Sequence, residues 1–237
     1  MVKHGKRYRN AADLASEEQS YEPPAAIAQV KKTATAKFDE TVELHLRTGA
    51  DPRHADQQIR SVALLPHGLG KQIRVLVFAQ GEAAQAATEA GADYVGDDDL
   101  IKRIEGGWVD FDTSIATPDM MGKVGRLGRV LGRRGLMPNP RTGTVVQPQD
   151  VARAVDDARK GRVEVRMDRT AIIHAPIGKA SFEEQALLEN LTSLMEMIMR
   201  SRPTSVKGQF IRSAYLTTTM GPSIPVDLPS LQALQVE

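Results

Sequence analysis

Between Gly122 and Arg141 the sequence carries six bases, Lys123, Arg126, Arg129, Arg133, Arg134 and Arg141, and no acid. Glycines recur at positions 122, 125, 128, 132 and 135, three or four residues apart. On a helix this spacing makes a narrow glycine face beside an arginine face. Guanidinium groups pair with phosphates, and a bare backbone can approach them closely, so the segment suits a polyanion. Each helical glycine costs about 1 kcal/mol relative to alanine, which packing or binding must offset. The packing alternative is a glycine-lined helix with solvated arginines. Catalytic material is sparse. His4, His45, His54, His67 and His174 are scattered and form no HExxH pair, and no GxSxG elbow occurs. Asp97-Asp98-Asp99 reads as a helix start whose carboxylates complement the dipole. Cysteine is absent, which excludes thiol catalysis and Cys-zinc sites. We therefore expect no enzyme activity, no catalytic residue, no metal ligand and no cofactor.

The elements around this segment fall into three blocks. Residues 1–24 are expected to form a flexible N-terminal tail with a short helical region after Asn10. Ala25–Ala36 has helix composition, and Phe38–Leu46 alternates like a half-buried strand. Asp51-Pro52 is a helix start, predicting a helix to about Val62. Pro66–Gly70 and Lys160-Gly161 are breaker clusters and hinge candidates. Between them Ile73–Phe78, Ala92–Val95 and Phe111–Ala116 read as strands. They alternate with helices Glu82–Ala90 and Asp98–Glu105, and a further helix spans Pro148–Ala158. That alternation predicts a parallel α/β unit. Beyond Gly161, Arg162–Met167 and Thr170–His174 read as strands around a turn at Asp168-Arg169. Ser181–Met199 is an amphipathic helix with a Ser181/Glu184 capping box, and Gln209–Thr219 is a last strand.

The expected fold class is thus α/β in two domains. A terminal-half α+β domain of split β-α-β type combines 25–68 with 161–223. A Rossmann-like α/β domain is inserted at 69–160, and 224–237 is a C-terminal tail. The α/β rhythm also raises an alternative, a nucleotide-binding enzyme using the middle domain. The turn after Phe78 reads Ala79-Gln80-Gly81-Glu82, without a dinucleotide or P-loop fingerprint, and Glu82 sits where a phosphate would bind.

Overall composition is that of a globular chain, 237 residues with 41% apolar and 26% charged. Formal charge is only +1, from 31 Lys and Arg against 30 Asp and Glu. The balance hides segregation, since Gly81–Asp119 holds ten acids against Lys102 and Arg103. Aromatics at 4% disfavour a stacking-rich single-strand binder. No apolar run reaches the roughly 20 residues of a membrane span, so no membrane partner is expected.

The run from Lys123, with LGRVLGRRGLMPNP and then Gly143-Thr144-Val145, closely resembles the signature of the L-one family of large-subunit ribosomal proteins. Other blocks agree in order: Lys37-Phe-Asp-Glu-Thr-Val-Glu43, Leu65-Pro-His-Gly-Leu-Gly-Lys71 and Ala90-Gly-Ala-Asp-Tyr-Val-Gly96. His174-Ala-Pro-Ile-Gly-Lys179 and Thr217-Thr-Thr-Met-Gly-Pro-Ser223 follow. The resemblance covers about residues 25–225. It implies a structural constituent of the large ribosomal subunit that binds the rRNA of the mobile stalk near the tRNA exit site. It also implies help in releasing deacylated tRNA, and repression of the chain's own message. The implied partners are stalk rRNA, exit-site tRNA and the chain's own mRNA, with the protein a monomer within the ribosome. The implied location is the cytoplasmic ribosome, the plastid stroma being the alternative; the N-terminus has no transit-like leader, which favours the former.

Carried over by position, the implied RNA surface falls on Lys37, Phe38, Thr41 and Glu43 of the first strand. It continues on Asp168 and Thr170 of the turn, and on Ser213, Thr217, Thr219, Met220 and Gly221. Hydroxyls and carboxylates suit the ribose 2′-hydroxyls that mark RNA. Ser213, Thr217 and Thr219 share one face of an ideal strand. Lys123, Arg126, Arg129, Arg133 and Arg134 form a secondary RNA contact. The family commonly shows Asn-Asp-Lys-Thr-Gly at the turn, where this chain has Met167-Asp-Arg-Thr-Ala171. Arg169 changes the geometry of the charge. Alanine at 171 is expected to resist a positive φ that glycine would allow.

Overall fold

The computed structural model describes residues 4–15 and 19–234. In chain order the elements are α1 (Lys6–Asp13), α2 (Pro23–Thr33), β1 (Thr41–Thr48), β2 (Arg60–Leu64), β3 (Val75–Phe78), α3 (Glu82–Glu89), β4 (Tyr94–Gly96), α4 (Asp98–Glu105), β5 (Thr113–Ala116) and α5 (Pro118–Val124). They continue with α6 (Gly128–Arg133), α7 (Val151–Arg159), β6 (Arg162–Arg166), β7 (Ile172–Lys179), α8 (Glu184–Arg200), β8 (Ile211–Thr218), β9 (Ile224–Pro225) and α9 (Leu228–Gln232). The chain divides into two compact units. One runs up to Gly70 and resumes at Val163; the other is Lys71–Arg162. The class is mixed α/β.

The terminal-half unit is built on an antiparallel sheet of order β7-β1-β8-β9. Strand alternation sends Val42, Leu44 and Leu46 of β1 inward, with Ile173, Ala175 and Ile177 of β7 and Ala214 and Leu216 of β8. They share a core with Ile27 and Val30 of α2 and with Leu187, Leu191, Leu194 and Ile198 of α8. The inward residues of a second, two-stranded sheet, β2-β6, join the same core through Ala63, Val163 and Val165. The alternate residues of β1 and β8 are left half-buried or exposed, and that face carries the polar groups described below.

The inserted unit has a parallel sheet of order β4-β3-β5. All four residues of β3 are buried. Leu76 and Phe78 pack with Leu100, Ile104, Met120, Val124, Leu127 and Leu131 on α4–α6 and the turn between the last two. Val75 and Val77 pack with Ala83 and Ala87 of α3 and with Val151 and Val155 of α7. A strand covered on both faces must be apolar throughout, which is why β3 reads as a continuous run.

Several expectations are corrected. Asp51-Pro52 does not begin a helix. Asp51 Oδ1 accepts the Arg53 amide at 2.9 Å, and only a 3-10 turn at Ala55–Gln57 follows before β2. Val62, whose β-branched side chain favours extended backbone, lies on β2. The Ser181/Glu184 capping box does not form, because Ser181 Oγ donates to Asp39 Oδ2 at 2.7 Å and α8 starts at Glu184. The two strands around Asp168 belong to different sheets, joined by one bridge at Met167–Ile173.

The expected tails are also structured where described. Lys6–Asp13 is helical, and its Ala11 is buried. Tyr21 N–H donates to the Pro225 carbonyl at 3.0 Å, and Asp227 N–H donates back to the Tyr21 carbonyl at 2.8 Å. Ile224, Val226 and Leu231 are buried, so β9 and α9 finish the sheet edge instead of trailing from it. Asp227 caps α9 by accepting the Ser230 amide at 3.0 Å. The expected tail positions 1–3, 16–18 and 235–237 lie outside the described residues.

Within the Pro66–Gly70 cluster, His67 and Gly68 are fastened to the terminal-half unit. Asn190, fully buried on α8, accepts the His67 amide at 3.0 Å and donates to the carbonyls of Gly68 and Ile177 at 3.0 and 2.8 Å. Gly70, at φ +67°, leaves no room for a side chain against Lys179 and Phe182.

Candidate nucleic-acid interface

On the open face of the terminal-half sheet, β1 presents Thr41, Glu43, His45 and Arg47, and β8 presents Ser213, Tyr215 and Thr217, with Thr219 just beyond. The register sets Glu43 opposite Thr217, His45 opposite Tyr215 and Arg47 opposite Ser213. From β7, His174 lies opposite His45. At one end Thr219 Oγ1 accepts the Thr41 amide at 3.1 Å, and Lys179 Nζ donates to Thr41 Oγ1 at 2.8 Å. Thr41, Glu43, Ser213, Thr217 and Thr219 are therefore brought together as the sequence expects.

Lys37 and Phe38 are placed differently. They stand in the loop before β1, not in the strand, and both are exposed. The cause is Glu40, 2% exposed, whose Oε1 accepts the Ala36 amide at 2.8 Å and whose Oε2 accepts the Met220 amide at 2.9 Å. One carboxylate thus curls the 36–40 loop and ties it to the Thr219–Gly221 corner. Phe38 and Met220, 55% and 50% exposed, stand out from this pinned edge. Burial alone would raise the Glu40 carboxyl. The amide hydrogen bonds from Ala36 and Met220, aided by the Arg7 charge, bring it below its ordinary 4.5. Gly221 has an internal reason to be glycine, since a Cβ there would lie 2.3 Å from Thr218 Oγ1.

Asp168 and Thr170 make a closed turn. Asp168 Oδ1 accepts the amides of Thr170 and Ile172, both at 2.8 Å, and Oδ2 accepts the Thr170 hydroxyl at 2.6 Å. Desolvation opposes charge on Asp168, but these hydrogen bonds outweigh it and lower its pKa. Ala171 takes φ +64°, so alanine does adopt the left-handed backbone expected to resist it. The Asp168 turn holds that conformation.

Sequence reasoning missed the groups that join this turn to the hydroxyl row. His174 Nε2 lies 3.6 Å from Asp168 Oδ2, and its Nδ1 lies 2.7 Å from His45 Nδ1. His45 Nε2 is 3.1 Å from Thr217 Oγ1 and 3.8 Å from Glu43. Tyr215, 39% exposed, shares the face. Strand parity from Glu43 and Thr217 could have found His45 and Tyr215. His174 needed the sheet order.

In the inserted unit the glycine–arginine segment is broken into α5, a 3-10 turn at Gly125–Leu127, and α6. Val124, Leu127 and Leu131 are buried beneath it. A Cβ added at Gly122, Gly125, Gly128 or Gly132 would meet no atom within 4 Å. Packing therefore does not explain these glycines, which overturns the glycine-lined packing alternative. Lys123 pairs with Asp98 at 2.8 Å. Arg126, Arg129, Arg133 and Arg134 are exposed and make no ion pair among the described residues. At the carboxyl ends of β3 and β4, Gln80 Nε2 donates to Asp97 Oδ2 at 2.9 Å, beside Glu82 at the start of α3. That acidic mouth repels phosphate.

The family model of the Ribosomal protein L1p/L10e family matches residues 30–222. The chain belongs to this family. It is 59% identical over 234 residues to the large ribosomal subunit protein uL1 of Dehalococcoides mccartyi, covering 99% of both chains. It is 59% identical to that of Chloroflexus aggregans over the full length of both, and 57% identical to that of Thermomicrobium roseum over 96% of this chain and 95% of the relative. The chain is thus a structural protein of the large ribosomal subunit, not an enzyme, and the nucleotide-enzyme alternative falls. No helix among the described residues is long and apolar enough to cross a membrane.

Proposed function

We propose that the open face of the terminal-half sheet binds the rRNA of the mobile stalk near the tRNA exit site. The observation that carries this reading is the hydroxyl-and-carboxylate row of Thr41, Glu43, Ser213, Thr217 and Thr219, closed at one end by the Phe38–Met220 edge. Such a row reads 2′-hydroxyls across a shallow groove, while exposed apolar side chains cover sugar and base faces. Lys37 supplies charge to a phosphate, and Asp168 and Thr170 extend the surface at the far side. Gly221 keeps the corner tight. The same surface, offered to a stalk-like structure in the chain's own message, would repress its translation. The face of Arg126, Arg129, Arg133 and Arg134 makes a second contact, to rRNA or to the departing exit-site tRNA. Its open glycines support that role, because ligand backbone can approach there without a side chain intervening.

The test is binding of the full chain to a large-subunit stalk rRNA fragment at several salt concentrations, against a base-paired RNA of equal length. Preference for the stalk fragment should survive physiological salt, where phosphate attraction alone fades. Replacing Thr219 and Met220 by alanine should weaken binding by about 1–3 kcal/mol for each side chain that meets the RNA well. Undiminished preference in that double variant means the surface lies elsewhere.

A further inference from the structure

The centre of the open face holds two carboxylates close to a pair of histidines. Glu43 and Asp168 flank it; the nearby cations are Arg47 next along β1, Lys179 at the Thr41 end of β7 and the exposed Arg169 beside Asp168. Between the two carboxylates stand His45 and His174. Their Nδ1 atoms are 2.7 Å apart, so only one of the two nitrogens carries a hydrogen in this arrangement. The outer nitrogens face Thr217 and Glu43 on one side and Asp168 on the other. Tyr215 on β8 lies opposite His45.

We propose that the His45–His174 pair is a proton-gated phosphate clasp: a backbone phosphodiester of the bound RNA parts the two rings, both Nδ1 atoms donate to it, and the pair takes up a proton. This inference rests on the reading that the open face binds RNA. Its physics is direct. A phosphate entering between Glu43 and Asp168 is repelled by both carboxylates, and a positive imidazole beside it offsets that repulsion. Imidazole is the side chain that can become positive near neutral pH. In the free protein, burial and the neighbouring His174 push the His45 pKa below its ordinary 6.5, while Glu43 acts against them. His45 is therefore neutral at pH 7 and has a proton to gain. A phosphate set between the rings removes their mutual repulsion and favours the charged form. With the rings in contact only one Nδ1 can donate, and phosphate entry frees both to do so, which ties the added proton to the phosphate.

Isothermal titration of the full chain with the stalk rRNA fragment at pH 6.5, in buffers of differing ionisation enthalpy, reads this directly. The expected result is uptake of about one proton, with affinity rising up to about tenfold per pH unit as pH falls from 7.5 towards 6.5. His45→Gln and His174→Gln keep hydrogen-bonding side chains at partly exposed positions. Both should abolish the uptake and flatten the pH dependence. Tight, stalk-specific binding with no proton uptake overturns the clasp and leaves the RNA-binding reading standing. So does uptake that persists in both variants, since the proton then goes to the RNA. No preference for the stalk fragment at any pH overturns the reading and the clasp together.

Discussion

At the scale of single residues, Glu40 and Ala171 show how the surface is held in shape. Ala171 occupies a left-handed backbone position that costs an L-residue about 1–2 kcal/mol. Its methyl group is only partly buried against the core, so little packing opposes its removal. Ala171→Gly should therefore stabilise the protein by about 0.5–1 kcal/mol, because relief of strain exceeds the extra unfolded-state entropy. A lower midpoint in thermal unfolding would contradict this. Glu40 gives a pH prediction with a definite sign. Its folded-state pKa is lowered, so the folded protein binds fewer protons than the unfolded chain between the lowered value and 4.5. The carboxylate's contribution is full above pH 4.5 and is lost as pH falls through the lowered value. Urea midpoints measured from pH 6 to 3 should fall less steeply in Glu40→Gln than in the natural chain. An identical slope would show that the tie to Ala36 and Met220 adds no pH-dependent stability.

At the scale of elements, what was legible followed from periodicity. The buried run of β3, the stripe of α8 and the parity of Ser213, Thr217 and Thr219 all depend on a repeat that one stretch of chain displays by itself. What was not legible depended on partners distant in sequence. The helix expected after Asp51 gave way to β2 because Ala63 on that strand is needed in the core shared with β6. Lys37 and Phe38 left the strand because Glu40 was claimed by Met220, 180 residues away. The tails could not be read as structured, since the pairing of Tyr21 with Val226 joins the two ends of the chain. The glycine–arginine segment was legible as chemistry but not as geometry. Its glycines proved open, so packing does not account for their cost. If Arg126, Arg129 and Arg133 each meet a phosphate, replacing each with Gln should reduce the slope of log affinity against log salt by about 1. Stalk-over-control preference should be unchanged by those substitutions, because phosphate contacts position without specifying. An unaltered salt slope in the triple variant would leave the segment without an RNA role.

For the whole molecule, the hydrophobic cores separate cleanly along the two units. Leu44, Leu191 and Leu216 belong to one cluster with α2, α8 and the antiparallel sheet. Leu76, Phe78 and Ile104, and Val77, Ile115 and Val155, belong to clusters made wholly within Lys71–Arg162. A chain with separate cores need not unfold in one step. The breaker cluster that suggested a hinge is fastened through Asn190 to α8, so the terminal-half unit keeps that segment as part of its own packing. Leu44→Ala removes a fully buried side chain from the centre of β1 and should cost about 2–5 kcal/mol. That loss should fall on one unit. Hydrogen exchange should quicken at the amides of β1, β7 and β8, while those of Val77 and Ile115 keep their protection. Stalk-RNA affinity should drop in parallel, since the open face is the reverse side of the damaged sheet. Equal loss of protection in both units would mean that they unfold as one cooperative body, and the separation of their cores would then have no thermodynamic consequence.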